Sequence, residues 1–268
     1  MPVRKFYQHQ DVQGLKVGRF NQGINTQFIV YRLGDTVIDA GPSNQWRHIS
    51  AYLNKEPVKQ LLLTHHHEDH SGNAHRIAQQ FSITPKAPRL AQVKLASGYA
   101  TPLLQRVVWG SPRPVQTQAL GEVEYLSDGR EIIPIHTPGH AKDLTCFHMP
   151  EQGYFFSGDL YIAKTIKMLR KDENLKELIQ SLQRVQTLDF DTVFCPHGGV
   201  IKDGKKALKL KLNNILQMCS EVKELAEKGW SFDQICQYLL GPEDMVAKLT
   251  KGNFSKTNLI KQCALQSL

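Results

Sequence analysis

The chain has 268 residues, with 33 Lys and Arg against 25 Asp and Glu, and a formal charge of +8. Its hydrophobic fraction of 41% and charged fraction of 22% are ordinary for a folded domain and exclude an intrinsically disordered or fibrous protein. No apolar run approaches the roughly 20 residues that span a bilayer, and the first residues lack the apolar centre of a signal peptide. We therefore expect a cytoplasmic protein with no membrane association.

The first half of the chain predicts a hairpin, two helices and a buried strand, in an order typical of an α/β protein. Residues 82–121 are broken by five prolines and predict only helix pieces and loops. In chain order, the segments predicted before them are hairpin strands at 27–33 and 36–39, a helix at 43–54, a strand at 58–63 and a helix at 71–81.

The second half predicts further short strands, followed by a long helical region. Near residue 205 the pattern changes from mixed strands and helices to helices alone. We therefore expect a main domain at 1–205 and a C-terminal helical region at 206–268. The predicted elements are strands at 123–126, 131–136, 144–149, 154–157 and 192–195, helices at 174–187 and 205–228, and shorter helices at 230–268.

Histidine is the unusual residue, because five of the 11 histidines lie between His65 and His75. The five cysteines are an odd count without a Cys-x-x-Cys pair, and we expect them to be buried, reduced thiols. The chemistry of the protein is therefore to be sought in the histidine cluster.

The cluster reads Thr-His-His-His-Glu-Asp-His over residues 64–70, directly after a predicted strand. In an extended backbone alternate side chains point the same way, so His65 and His67 can bind one ion while His66 faces elsewhere. Asp69 and His70 follow at the turn into the next helix. Further donors occur at or just past later strand ends, each beside a Gly or Pro that permits a sharp turn: His140, Asp159 and His197.

This series of motifs, preceded by Asp39, resembles the metallo-β-lactamase superfamily over roughly residues 20 to 205. The resemblance implies an α/β fold, an αββα metallo-β-lactamase sandwich with a small C-terminal helical appendage. It places His65, His67 and His140 on one metal ion, Asp69, His70 and His197 on a second, and Asp159 between the two. By the same resemblance, Asp39 orients the loop that carries the ligands.

Imidazole and carboxylate donors suit two divalent ions, with zinc expected and iron or manganese as alternatives. Two such ions about 3.5–4 Å apart lower the pKa of a shared water toward about 7 and stabilise the developing oxyanion. No Ser, Cys or Lys nucleophile is then required. Asp69 has a predicted catalytic role, because it can also accept a hydrogen bond from the bridging hydroxide.

We expect a metal-dependent hydrolase of an ester, thioester or lactone small molecule that carries negative charge. The stretch from Ser71 to Gly121 contains six basic and no acidic residues, which favours attraction of an anion. Three aromatic residues in the loops that flank the motifs are candidates for the wall of the substrate pocket: Tyr99, Trp109 and Tyr161.

The alternative is a metal-dependent phosphodiesterase or ribonuclease. The region after Trp230 carries four lysines, but aromatic residues for base stacking are largely missing from the basic runs, so nucleic acid is possible and not favoured. Formation of a homodimer through the same region is a third possibility.

Overall fold

The computed structural model describes residues 3–21 and 26–266. In these residues the strands are β1 (Val3–His9), β2 (Val12–Gly18), β3 (Gln27–Leu33), β4 (Thr36–Ile38), β5 (Gln60–Leu62), β6 (Lys86–Ala87), β7 (Gln118–Ala119), β8 (Glu124–Tyr125), β9 (Glu131–His136), β10 (Thr145–Met149), β11 (Tyr154–Phe156), β12 (Leu169–Arg170), β13 (Thr192–Cys195), β14 (Gly199–Ile201) and β15 (Phe254–Ser255).

The helices of the same part of the chain are α1 (Trp46–Leu53), α2 (Glu68–Ser71), α3 (Ala74–Phe81), α4 (Gln92–Ser97), α5 (Leu103–Trp109), α6 (Leu175–Val185), α7 (Gly204–Glu227), α8 (Phe232–Leu240), α9 (Met245–Leu249) and α10 (Lys256–Ala264). Short 3-10 turns lie at Ser43–Gln45, Arg89–Ala91 and Gly158–Leu160.

The strands form two main sheets that face each other. One sheet has the order β1-β2-β3-β4-β5-β6-β7, the other has the order β14-β13-β11-β10-β9-β8, and β12 pairs with β15 separately. Helices α1 and α3 to α5 cover the outer face of the first sheet, and α6, α7, α8 and α10 cover the second. This is the αββα sandwich that the family resemblance implied.

The alternation of side chains along β3 shows how the layers are held together. Phe28 and Val30 belong to the apolar cluster beneath the helices, whereas Ile29 and Tyr31 belong to the cluster between the two sheets. Successive residues of a strand point to opposite faces, so the middle of a strand that is covered on both sides is apolar. The first sheet is therefore anchored to both neighbouring layers.

The structure also corrects several local predictions. The hairpin of β1 and β2 and the short parallel strands β6 and β7 were not predicted. The helix predicted over 71–81 begins only at Ala74, as α3, and Ser71 is the last residue of the short α2. Between the two helices, the side-chain amide of Asn73 donates hydrogen bonds to the carbonyls of Ala40, Gly41 and Pro42. The break joins the end of the histidine run to the loop after β4.

The C-terminal helices share a core with the second sheet. Leu208 and Ile215 of α7 belong to the same buried cluster as Val193 of β13 and Leu178 of α6. Across the described residues, no helix is long and apolar enough to cross a membrane. All five cysteines are free and buried, as predicted.

Candidate metal centre

The seven side chains predicted as metal ligands meet at one edge of the sandwich, where several strands end. The run from His65 to His70 follows β5, His140 lies between β9 and β10, Asp159 follows β11 and His197 follows β13. Their donor atoms fall into three overlapping groups, each with members within 4.8 Å of one another: His65, His67 and His140; His65, His70 and Asp159; and Asp69, His70 and His197.

The first group consists of three imidazoles that converge on one point. His67 Nδ1 lies 3.0 Å from His65 Nε2 and 3.1 Å from His140 Nε2. Two nitrogens bound to one zinc at about 2.0–2.1 Å in a tetrahedral site lie roughly 3.3 Å apart. The spacing and the chemistry of these donors therefore fit a divalent ion of this kind.

The third group, Asp69, His70 and His197, is joined to the first through Asp159. Asp159 Oδ1 lies 3.2 Å from both His70 Nε2 and His197 Nε2, and Asp159 Oδ2 lies 3.2 Å from His140 Nε2. Asp69 Oδ2 completes the group at 3.5 Å from His197 Nε2. The two oxygens of one buried carboxylate thus face two different sets of donors.

Asp39 and Thr64 support the histidine run from behind. Asp39 Oδ2 lies 2.7 Å from His70 Nδ1, and Asp39 Oδ1 accepts a hydrogen bond from the Thr64 backbone amide at 2.8 Å. The backbone of Asp39 has a φ of +59°, a left-handed conformation that suits a short polar residue at a sharp turn. Asp39 therefore lies where it can fix the orientation of the His70 ring.

Two ligands outside the His65–His70 run, His140 and His197, have partners that the sequence did not reveal. Glu173 Oε1 lies 2.7 Å from His140 Nδ1, and the Gln27 carbonyl lies 2.8 Å from His197 Nδ1. Glu173 stands just before α6, whose N-cap Asn174 donates its backbone amide to the Gly139 carbonyl at 2.7 Å. The one available signal was an acidic residue beside a helix start, which is too common to identify such a partner.

Electrostatics divides the five imidazoles into two kinds. Burial and neighbouring imidazoles hold the pKa of His65 and His67 well below the usual value, so both rings are neutral and free to bind an ion. Although burial opposes it, the carboxylates of Asp39 and Asp159 raise the pKa of His70 well above the usual value. The pKa values of His140 and His197 are also raised, again against burial, chiefly by Asp159. The acidic residues thus lie close to His70, His140 and His197, and away from His65 and His67.

His66 is turned away from this centre, as the alternation of the run predicted. Its Nδ1 lies 2.9 Å from Asp143 Oδ1, and its Nε2 accepts a hydrogen bond from Lys94 Nζ at 3.1 Å. Lys94 belongs to the basic stretch between Ser71 and Gly121, so part of that stretch reaches the vicinity of the site.

The three aromatic residues proposed for the pocket wall lie at different depths. The Tyr99 hydroxyl donates to the His66 carbonyl, and the buried Trp109 ring has its centroid 6.2 Å from that of His197. Tyr161, 5% exposed, lies in the core behind Asp159, where Lys211 Nζ is 5.9 Å from its ring centroid. Tyr99 thus contacts His66 and Trp109 lies beside His197, whereas Tyr161 lies in the core. A role in substrate contact stays a prediction for all three residues.

Comparison with known proteins identifies the family. The sequence profile of the Metallo-beta-lactamase superfamily matches residues 22–197, and the chain belongs to this superfamily. It is similar to an atrochrysone carboxyl ACP thioesterase of Aspergillus fumigatus, at 26% identity over 72% of this chain and 56% of the relative. The chain thus spans little more than half the length of that curated relative.

Solved structures show the same fold. A beta-lactamase domain protein from Burkholderia ambifaria superimposes with a TM-score of 0.71 over 97% of this chain and 86% of its own, at 20% identity. The mono-zinc form of the metallo-beta-lactamase FIM-1 from Pseudomonas aeruginosa covers 79% of this chain and 94% of its own, with a TM-score of 0.56 and 17% identity. The match to the superfamily implies divalent metal ions and supports a hydrolase.

Proposed function

We propose that the protein is a dinuclear metal-dependent hydrolase of an ester, thioester or lactone small molecule that carries negative charge. The observation that supports this most directly is the position of Asp159, whose two carboxylate oxygens each lie 3.2 Å from imidazole nitrogens of different donor groups. A site for a single ion would not need a second group of donors on the far side of that carboxylate.

In this proposal each ion has its own three side chains and shares Asp159. His65, His67 and His140 hold one ion, and Asp69, His70 and His197 hold the other. Two divalent ions bound there would supply an activated water near neutral pH and stabilise negative charge on the substrate. Zinc is the ion we expect, because all seven donors are imidazoles or carboxylates.

The protein side chains supply orientation and proton handling. Asp39 and Glu173 hold the rings of His70 and His140 through their second nitrogens. Asp69 directs Oδ2 toward His197, and we assign its other oxygen to accept a hydrogen bond from the attacking water. No serine, cysteine or lysine nucleophile enters this mechanism.

The substrate class rests on the relatives and on charge. The name of the Aspergillus fumigatus relative is that of a thioesterase, which favours thioesters as the first substrates to test. Lys94 beside His66 provides positive charge near the site. We therefore expect anionic substrates to be preferred over neutral ones.

A hydrolysis panel on metal-analysed protein tests the proposal. Thioesters, lactones, carboxylic esters, phosphodiesters and RNA are offered to the wild type, to His67→Ala and to the control His136→Ala, whose exposed ring contacts the Lys142 carbonyl instead of the cluster. We expect two ions per chain and carbonyl-ester hydrolysis in the wild type and the control. His67→Ala should lose at least one ion and the hydrolysis.

Two results would overturn the proposal. Protein that binds no transition ion, or hydrolysis that survives in His67→Ala, would remove the metal centre from the reaction. Cleavage of phosphodiesters or RNA without hydrolysis of any carbonyl ester would assign the same centre to the alternative function.

A further inference from the structure

Arg170 is a charged residue beside the metal centre that has no role in the proposed mechanism. It lies on β12, and its side chain is 15% exposed. Its Nη1 lies 3.4 Å from His67 Nε2, the ring nitrogen that faces away from the other donors of the first group. The guanidinium therefore stands at the border between the centre and the surrounding surface.

The other guanidinium nitrogens of Arg170 already have hydrogen-bond acceptors. Nε and Nη2 donate to the two oxygens of Asp172 at 2.9 and 2.8 Å, and the backbone amide donates to Glu173 Oε2 at 3.0 Å. The guanidinium carbon lies 5.6 Å from the centroid of the Phe254 ring, on β15 of the C-terminal region. These contacts hold the side chain in place, so that Nη1 keeps its position beside His67.

Arg170 Nη1 and His67 Nε2 together lack a hydrogen-bond acceptor. When Nδ1 of His67 binds an ion through its lone pair, the ring proton resides on Nε2. Nε2 is then a donor, and an arginine Nη1 is always a donor. Two donors that face each other at 3.4 Å cannot bond to each other, whereas one oxygen atom near both can accept from each.

We propose that Arg170 Nη1 and His67 Nε2 form a binding site for an oxyanion of the substrate, a carboxylate or a phosphate, next to the metal centre. This inference rests on the proposed function, since it requires His67 to bind an ion through Nδ1. Asp172 occupies the Nε and Nη2 edge of Arg170 and leaves the Nη1 edge for the ligand. An anionic group at this site defines which esters or thioesters are preferred.

Ligands of equal length separate this site from the metal centre. Butyrate has one carboxylate for the metal centre, whereas succinate has a second carboxylate in place of the methyl group, and 3-phosphonopropionate has a phosphonate there. Isothermal titration calorimetry of the zinc-loaded protein gives the ratio of the Kd of butyrate to that of each two-headed ligand. We expect a ratio of about ten or more for at least one of them, since a charge-assisted hydrogen bond is involved.

The variants decide whether Arg170 causes the preference. Arg170→Met should bring the ratio to about one, while Lys171→Met, which removes an equal charge from the exposed neighbouring residue, should leave it unchanged. Arg170→Gln is the second variant, with the same expected loss, should the methionine variant fail to retain zinc.

A ratio near one in the wild type, or a high ratio that persists without Arg170, would contradict the inference. Either result can occur in a protein that still binds zinc and hydrolyses esters, so the proposed function would remain. A higher ratio for succinate identifies a carboxylate as the recognised group, and a higher ratio for 3-phosphonopropionate identifies a phosphate.

Discussion

The two regions that build the centre do so in different ways. The run from His65 to His70 brings four of the seven candidate ligands on six consecutive residues, at the junction of β5 and α2. His140, Asp159 and His197 come one at a time from three loops that the second sheet brings together. The first set is placed by local backbone geometry, whereas the second depends on the packing of distant elements.

Their supports differ in the same way. Behind the run, Asp39 and Thr64 contact each other and also reach His65 and His70, so one small cluster orients several ligands. Of the three ligands outside the run, His140 has Glu173 as its own partner and His197 has the Gln27 carbonyl. A substitution behind the run should therefore weaken the binding of both ions. A substitution behind a single loop should weaken the binding of one ion only, except at Asp159, which contacts both groups of donors.

The largest effect is expected for Asp159→Asn. The substitution removes the negative charge between the two groups, and we expect hydrolysis to fall by at least about 10³-fold because several kcal/mol of charge stabilisation are lost. Plasma mass spectrometry should show fewer than two ions per chain. Asp143→Asn is the control, as Asp143 is also buried beside a histidine, His66, outside the ion-binding set. Two retained ions in Asp159→Asn would mean that Asp159 does not bridge them.

The backbone next to Asp159 is held by Lys211, a buried residue of α7. Its Nζ donates a hydrogen bond to the carbonyl of Leu160, the residue after Asp159, at 2.7 Å. Burial lowers the pKa of Lys211 to about 8, from 10.5, although the charges of Cys195 and Asp159 oppose the shift. Between these values the unfolded chain binds more protons than the folded one, so stability rises with pH. Relative to Lys211→Met, the wild type should gain up to about 3 kcal/mol from pH 8 to 10.5.

Urea unfolding of both proteins across this pH range measures the gain. Lys209→Met, an exposed change on the same helix, should follow the wild type at every pH. A constant difference between the wild type and Lys211→Met would show that Lys211 does not titrate in this range in the folded protein.

The comparison between Asp39→Asn and Glu173→Gln addresses the supports directly. Each change weakens the partner of one ring, and the loss of such a partner costs about 10- to 100-fold in metal affinity. The loss of affinity in Asp39→Asn should be near 100-fold and should affect both ions. The reason is that Asp39 also accepts a hydrogen bond from Thr64, which contacts His65. Glu173→Gln should weaken one ion only. Competition titrations with a chelator measure both affinities, and equal, two-ion losses in the two variants would contradict the distinction between the regions.

The same distinction explains how much could be predicted from the sequence. The histidine run lies within six residues, and its alternation alone separates His66 from His65 and His67. The strand ends before His140, Asp159 and His197 were also visible, but only the family resemblance connected them across nearly 130 residues. The layers of the sandwich followed from the same resemblance.

The parts that were missed depend on contacts between distant segments. The short strands β6 and β7 have two residues each, and such strands exist only because a sheet edge is present beside them. Glu173 and Arg170 lie beside the centre because β12 pairs with β15 and α6 starts next to His140. No local pattern in a sequence records such pairing.

The smallest effect is expected within the run itself, for His66→Gln. The hydrogen bonds of the His66 ring go to Asp143 and Lys94, so two ions should still bind and activity should fall by less than about tenfold. The matched change His67→Gln, one residue further on, should abolish binding of at least one ion because it removes a donor nitrogen. Metal analysis and hydrolysis rates of the two variants make the comparison. Similar losses at both positions would mean that the run acts as one structural unit, and that alternation of side chains does not decide which histidine binds metal.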